Sequence, residues 1–394
     1  MRRLLPLLIP VALLSGLLLW VPARGPQDAT FIPDGTKISD CSQGDLACYR
    51  QALGSLTIIR GVPAAFDLLR ATMLTDRSLL NDCHDVVHAI GKAALIRAND
   101  VLEEAIAGGE PICRSGFAHA IIEREVARSQ EPDPGVAGAR LGAFCSRADL
   151  WPAPIDRLEC LHGLGHGWML SQRGDLPFVL DACAAANTDL GAAGSDYCAL
   201  GAFMELQSPT SPDVRVYWRE GDLFYPCQTL NERFATVCYG QLVTRFANER
   251  IPQEEAAGLC QTIPLFSGKM ECLLNLLLLV SPANESAEGI GRICAGARPY
   301  APACLSGYIR GRADRESTEI ATVSRICYEI ATSPAAGSYR EMAIFCARAI
   351  GYYYVALAPI DRCRALLINE LQTACADAAR EPESLGEFIA TPIN

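Results

Sequence analysis

The sequence predicts an all-α protein in which disulfide-stapled helix pairs repeat to form a superhelix (an α/α solenoid) or a closed toroid. Three observations predict it. The chain carries 18 cysteines in 394 residues. A short cysteine motif recurs along it at the period of helix-pair repeats. Half of all residues are apolar and spread evenly, which excludes intrinsic disorder. A formal net charge of −11 further excludes a nucleic-acid partner, because phosphates require a basic surface.

The chain opens with Met1-Arg2-Arg3 and continues as an apolar run from Leu4 to Val21. A basic start followed by such a run is the pattern of a secretory signal, and Val21-Pro22-Ala23 offers a cleavage point. The run is also close to bilayer-spanning length. Residues 1–24 are therefore expected to be a signal peptide or an N-terminal membrane anchor, the one segment that touches a membrane. In either case the chain is expected to be exported, to the periplasm or the cell exterior. The even cysteine count fits that oxidising compartment. Residues 25–40 read as a linker, 41–380 as a single helical-repeat domain and 381–394 as a C-terminal tail.

The repeat is clearest at Cys113-Arg-Ser-Gly116, Cys160-Leu-His-Gly163, Cys198-Ala-Leu-Gly201 and Cys304-Leu-Ser-Gly307. Weaker copies begin at Cys48, Cys83, Cys238, Cys272, Cys346 and Cys375. A second cysteine closes the helical stretch before most copies: Leu141–Cys145, Leu176–Cys183, Glu254–Cys260, Ala287–Cys294, Thr318–Cys327 and Ala356–Cys363. Each unit thus reads as helix, cysteine, short loop, cysteine, helix. Sequential pairing follows: Cys41–Cys48, Cys145–Cys160, Cys183–Cys198, Cys227–Cys238, Cys260–Cys272, Cys294–Cys304, Cys327–Cys346 and Cys363–Cys375. Cys83 and Cys113 pair by elimination. The glycine three positions after the cysteine costs about 1 kcal/mol inside a helix, so a close helix approach is expected there. Ser129–Gly138 and Ser208–Tyr225, rich in Pro and Asp, are expected to be the longest excursions. The architectural logic resembles that of the Sel1-like cysteine-rich helical repeats. No function follows from it.

All five histidines fall in three consecutive copies: His84, His88, His119, His162 and His166. His84 and His88, and likewise His162 and His166, are four apart and share a helix face. His119 and His166 both stand six residues after their cysteine. The phase continues as Met204, Thr244, Leu278, Arg310 and Tyr352 and is expected to face inward. Neutral imidazole is the commonest transition-metal ligand, so the five histidines are expected to be metal ligands, for zinc or copper ahead of iron. Glu123, one turn beyond His119, and Asp85, next to His84, are the candidate catalytic or orienting carboxylates.

The expected function is a metal-dependent enzyme, hydrolytic or redox, acting on a small-molecule or peptide substrate. A different class stays open: a non-catalytic scaffold binding a protein or peptide partner on its concave face, with the histidines as packing. A metal carrier would share the ligands without an acid–base group. Other chemistry lacks its motif. CxxC, CxxCH, HExxH, GxSxG and a P-loop are absent, and Gly163-Leu-Gly165-His-Gly167 lacks the strand a dinucleotide site requires.

Overall fold

The helices begin where side chains can satisfy the orphan N–H groups of a first turn. Asp45, Asp133, Asp175, Asn231 and Ser286 each accept the backbone N–H three residues on. Proline occupies the first helical turn at Pro63, Pro134, Pro154 and Pro177, where its missing N–H is harmless. The computed structural model describes residues 32–394 except 111, 114, 130, 187–188, 208–211, 280–285, 314–319, 333–339, 356–359 and 381–394. The expected leader and tail, and residues 25–31 of the expected linker, lie outside the described residues.

The chain is all-helical, with no strand among the described residues. The N-terminal helices are α1 (Leu46–Arg60), α2 (Val62–Met73), α3 (Arg77–Arg97), α4 (Leu102–Ile106), α5 (Gly116–Ser129) and α6 (Pro134–Cys145). The middle of the chain forms α7 (Pro154–Ser171), α8 (Leu176–Ala185), α9 (Gly191–Leu206), α10 (Glu232–Asn248), α11 (Gln253–Thr262) and α12 (Phe266–Asn275). The last are α13 (Ala287–Ala295), α14 (Ala301–Ala313), α15 (Ile320–Thr332), α16 (Arg340–Ile350) and α17 (Asn369–Arg380). None of the described helices is long and apolar enough to cross a membrane.

Two series of contacts run along the chain. In the first, α1 packs on α3, α3 on α5, α5 on α7, α7 on α9, α9 on α10, α10 on α12, α12 on α14 and α14 on α16. In the second, α6 packs on α8, α11 on α13 and α13 on α15. Nine disulfides tie the helices together, in the pairing that the cysteine order predicts. No cysteine is free, which points to an oxidising, extracellular or periplasmic environment. Cys83–Cys113 differs in kind from the other bridges. Cys83 lies inside α3 and Cys113 in the loop before α5, so this bridge links two members of the first series.

The glycines behave as expected. A Cβ at Gly116 would stand 2.8 Å from the His84 carbonyl oxygen, and one at Gly163 3.3 Å from Cα of His119. A Cβ at Gly201 would run into the His162 carbonyl oxygen, and one at Gly307 into that of Leu274. Each glycine therefore admits the backbone of the preceding helix in the first series.

Two expectations change. Ser129–Gly138 is a shorter excursion than its Pro and Asp content suggests, because Asp133 and Pro134 start α6. The helix expected to end at Cys363 is a 3₁₀ turn, Ile360–Ala365, over its described part. The second excursion holds. Between Val214 and Thr229 the chain makes two 3₁₀ turns and one isolated β-bridge, Arg219 with Asp222. Arg245 of α10, fully buried, anchors it by donating to the carbonyls of Tyr217, Leu223 and Tyr225 and to Oε1 of Gln207. A buried guanidinium is tolerated because its donors find acceptors.

The apolar core falls into two clusters that meet on α5. Phe117 and Ile121 belong to the cluster built with Leu53, Phe66 and Ile90. Ile122 and Val126 belong to the larger one that runs on to Cys375. His119 stands on α5 between them.

Candidate metal centre

Helices α3, α5 and α7 are consecutive members of the first packing series, and they bring all five histidines together. The i,i+4 spacing puts His84 and His88 on one face of α3, and His162 and His166 on one face of α7. Their Nε2 atoms are 3.1 Å apart in the first pair and 3.0 Å apart in the second. The His119 ring lies between the pairs, its centroid 5.3 Å from that of His84 and 4.8 Å from that of His162. Two groups could each hold a metal ion: His84, His88 and His119, and His119, His162 and His166. Within each group the candidate ligand atoms all lie within 4.8 Å of one another.

The hydrogen bonds set the tautomers. Nδ1 of His84 donates to the Cys113 carbonyl at 2.9 Å, and Nδ1 of His162 to the Tyr197 carbonyl at 3.3 Å. A carbonyl only accepts, so in both neutral rings Nε2 is left as a lone pair. Nδ1 of His166 meets Oε1 of Glu205 at 2.7 Å. A neutral His166 would also turn an Nε2 lone pair on His162; two lone pairs 3.0 Å apart need either a metal ion or a shared proton between them, and the protonated form of His166 supplies that proton. Nε2 of His119 donates to Oε2 of Glu159 at 3.1 Å, while its buried Nδ1 has no hydrogen-bond partner among the described residues. A carboxylate holding the far nitrogen of a ligating imidazole is the common outer arrangement of metal sites.

The electrostatics favour the neutral form at three of the histidines and the charged form at a fourth. Burial, and then the neighbouring rings, push His88, His119 and His162 well below the usual imidazole pKa. Burial acts the same way on His166, but its hydrogen bond to Glu205 and the charges of Glu205, Glu123 and Glu159 outweigh it and raise its pKa. Burial raises Glu159 to about 7.

Of the two carboxylates singled out in the sequence, Glu123 lies at the cluster, with Oε1 3.9 Å from Nδ1 of His88. Asp85 does not. Its side chain is 68% exposed and faces Arg50 at 3.9 Å, since the residue after an inward-facing helical position is rotated away from that face. The carboxylates that do touch imidazoles are Glu159 and Glu205. Glu159 carried a legible signal, because it precedes His162 by three residues and so shares its face. Glu205 also carried a signal, since it follows Met204 in the inward-facing phase that the histidines share.

No family model, curated protein or solved structure matches this chain. The site therefore has to be read from its own chemistry. Imidazole nitrogens bound to one ion at about 2.05 Å are about 2.9 Å apart at a right angle and about 3.3 Å apart at a tetrahedral angle. Both histidine pairs fall inside that range. The donor set is all nitrogen and oxygen, as every cysteine is in a disulfide. Such a set fits zinc, copper or iron.

Proposed function

We propose that this chain is an exported metalloprotein whose histidine cluster binds a transition metal, zinc or copper ahead of iron, inside a superhelix of disulfide-stapled repeats. The observation that carries the reading is the pair His162–His166. Two Nδ1 atoms committed to a carbonyl and a carboxylate turn both Nε2 atoms on one point, where a metal can replace the proton that joins them, and the unpartnered Nδ1 of the buried His119 adds a third donor beside them. A packing role would satisfy the His162–His166 pair through a shared proton but would leave the buried Nδ1 of His119 without a hydrogen-bond partner among the described residues.

The cluster reaches solvent at His88 and Glu123 and, on its other side, at the carboxylates Glu159 and Glu205, which are 21% and 24% exposed. The side chains of His88 and Glu123 are 22% and 15% exposed, whereas that of His119 is 1% exposed. A metal held beside His88 with an open position would lower the pKa of a bound water and polarise a carbonyl or phosphoryl oxygen. Glu123 is the carboxylate placed to move the proton. The reading is thus metal-assisted hydrolysis of a small-molecule or peptide substrate that reaches the His88–Glu123 edge. Asp85 takes no part.

Elemental mass spectrometry on protein exported to an oxidising compartment tests the reading. Wild-type protein should retain a stoichiometric transition metal through dialysis, and the His84→Ala/His166→Ala double variant should lose it with helicity intact. Absence of metal in the wild type after reconstitution with zinc or copper would overturn the reading and return the histidines to packing.

A further inference from the structure

We infer that the cluster is a dinuclear centre, with one ion on each helix pair and His119 between them; this rests on the metal reading above. Each pair is already a complete chelate. The two Nε2 atoms of α3 and the two of α7 stand at the separation of adjacent ligands on a single ion. The pairs belong to helices separated by α5, and among the described residues no group gathers all four of these histidines around one point. Both groups include His119; with its Nε2 committed to Glu159, its Nδ1 completes one of them, and water or substrate fills the corresponding position of the other.

The charge around the site matches two ions better than one. Two dications close together repel, and anions between them offset the repulsion. Glu123 is set four residues after His119 on the intervening helix. Its carboxylate lies 3.9 Å from His88 on one side, and its charge acts on His166 on the other. Glu159 and Glu205 add two more carboxylates in contact with His119 and His166. Carboxylates thus stand on both sides of the cluster, so that each ion would have an anionic neighbour. The chemistry of such a pair is to hold an attacking and a leaving oxygen at once, which fits a phosphoester or amide bond approaching from the His88–Glu123 edge.

Zinc binding by the full chain measures the stoichiometry directly. Protein dialysed against zinc and then against metal-free buffer should retain two equivalents. The His84→Gln/His88→Gln and His162→Gln/His166→Gln variants should each retain one, and circular dichroism checks that they are folded. Copper(II) gives a second readout that needs no variant. Two neighbouring ions couple, so the resonance signal of isolated copper should grow up to one equivalent and fall as the second is added. One equivalent in the wild type, with an uncoupled signal that persists at saturation, would overturn the dinuclear centre and leave a mononuclear site. No bound metal at all would instead overturn the metal reading itself.

Discussion

At the scale of single residues, the site is made by partners that fix which nitrogen each ring presents. Backbone carbonyls hold Nδ1 of His84 and His162, and carboxylates hold Nε2 of His119 and Nδ1 of His166. The contact between His119 and Glu159 is the most telling, because it commits the only ring that lies between the two pairs. Glu159→Gln keeps the shape and removes the carboxylate. Losing such an outer partner typically weakens metal binding by about 10–100-fold. A zinc competition titration should show that loss while helicity stays at the wild-type level; an unchanged affinity would mean that Glu159 is a bystander. The glycines act at the same scale. Gly116 and Gly201 lie where a methyl group would strike the carbonyls of His84 and His162, so the small residues of the motif let each helix lie against the backbone that carries the ligands.

At the scale of elements, α5 is the keystone. It carries His119 and Glu123, separates α3 from α7 and bridges the two apolar clusters through Phe117 and Ile122. Its N-terminus is tied by the Cys83–Cys113 bridge, which closes 30 residues and anchors the loop whose carbonyl holds His84. A loop of that length is worth about 3.6 kcal/mol by chain entropy. The Cys83→Ala/Cys113→Ala variant should therefore lose about that much stability in denaturant unfolding. It should also bind zinc more weakly, because the Cys113 carbonyl is no longer pinned. Removing Cys327–Cys346, far along the chain, should lower stability without touching zinc affinity, and the contrast separates a local from a general effect. Elements also show where sequence patterning reached its limit. The proline- and aspartate-rich stretch from Ser129 was expected to be a loop, yet Asp133 caps a helix there and Pro134 starts it. The same residue types serve turns and helix starts, and only the following apolar face decides between them.

At the scale of the whole molecule, stability is expected to respond to the metal. Ligand binding to the folded state adds about 2.7 kcal/mol at a hundredfold excess over the dissociation constant. The midpoint of thermal unfolding should thus rise on adding zinc and fall with a chelator. A midpoint indifferent to both would speak against a site in the folded chain.

By itself the sequence determined the helical class, the order of cysteine pairing and the five histidines with their shared phase. These follow from periodicity, and periodicity is written in the chain: helix faces recur every three to four residues, and sequential bridges join neighbours in order. What only the tertiary structure decided is which groups meet across helices. Glu159 reaches His119 forty residues away, Glu205 reaches His166 across thirty-nine, and Asp85 turns to Arg50 although it adjoins a histidine. Such contacts depend on the rotation of each helix about its axis and on how closely glycines let its neighbour approach. Those are properties of the packing between helices, and no spacing within one helix contains them.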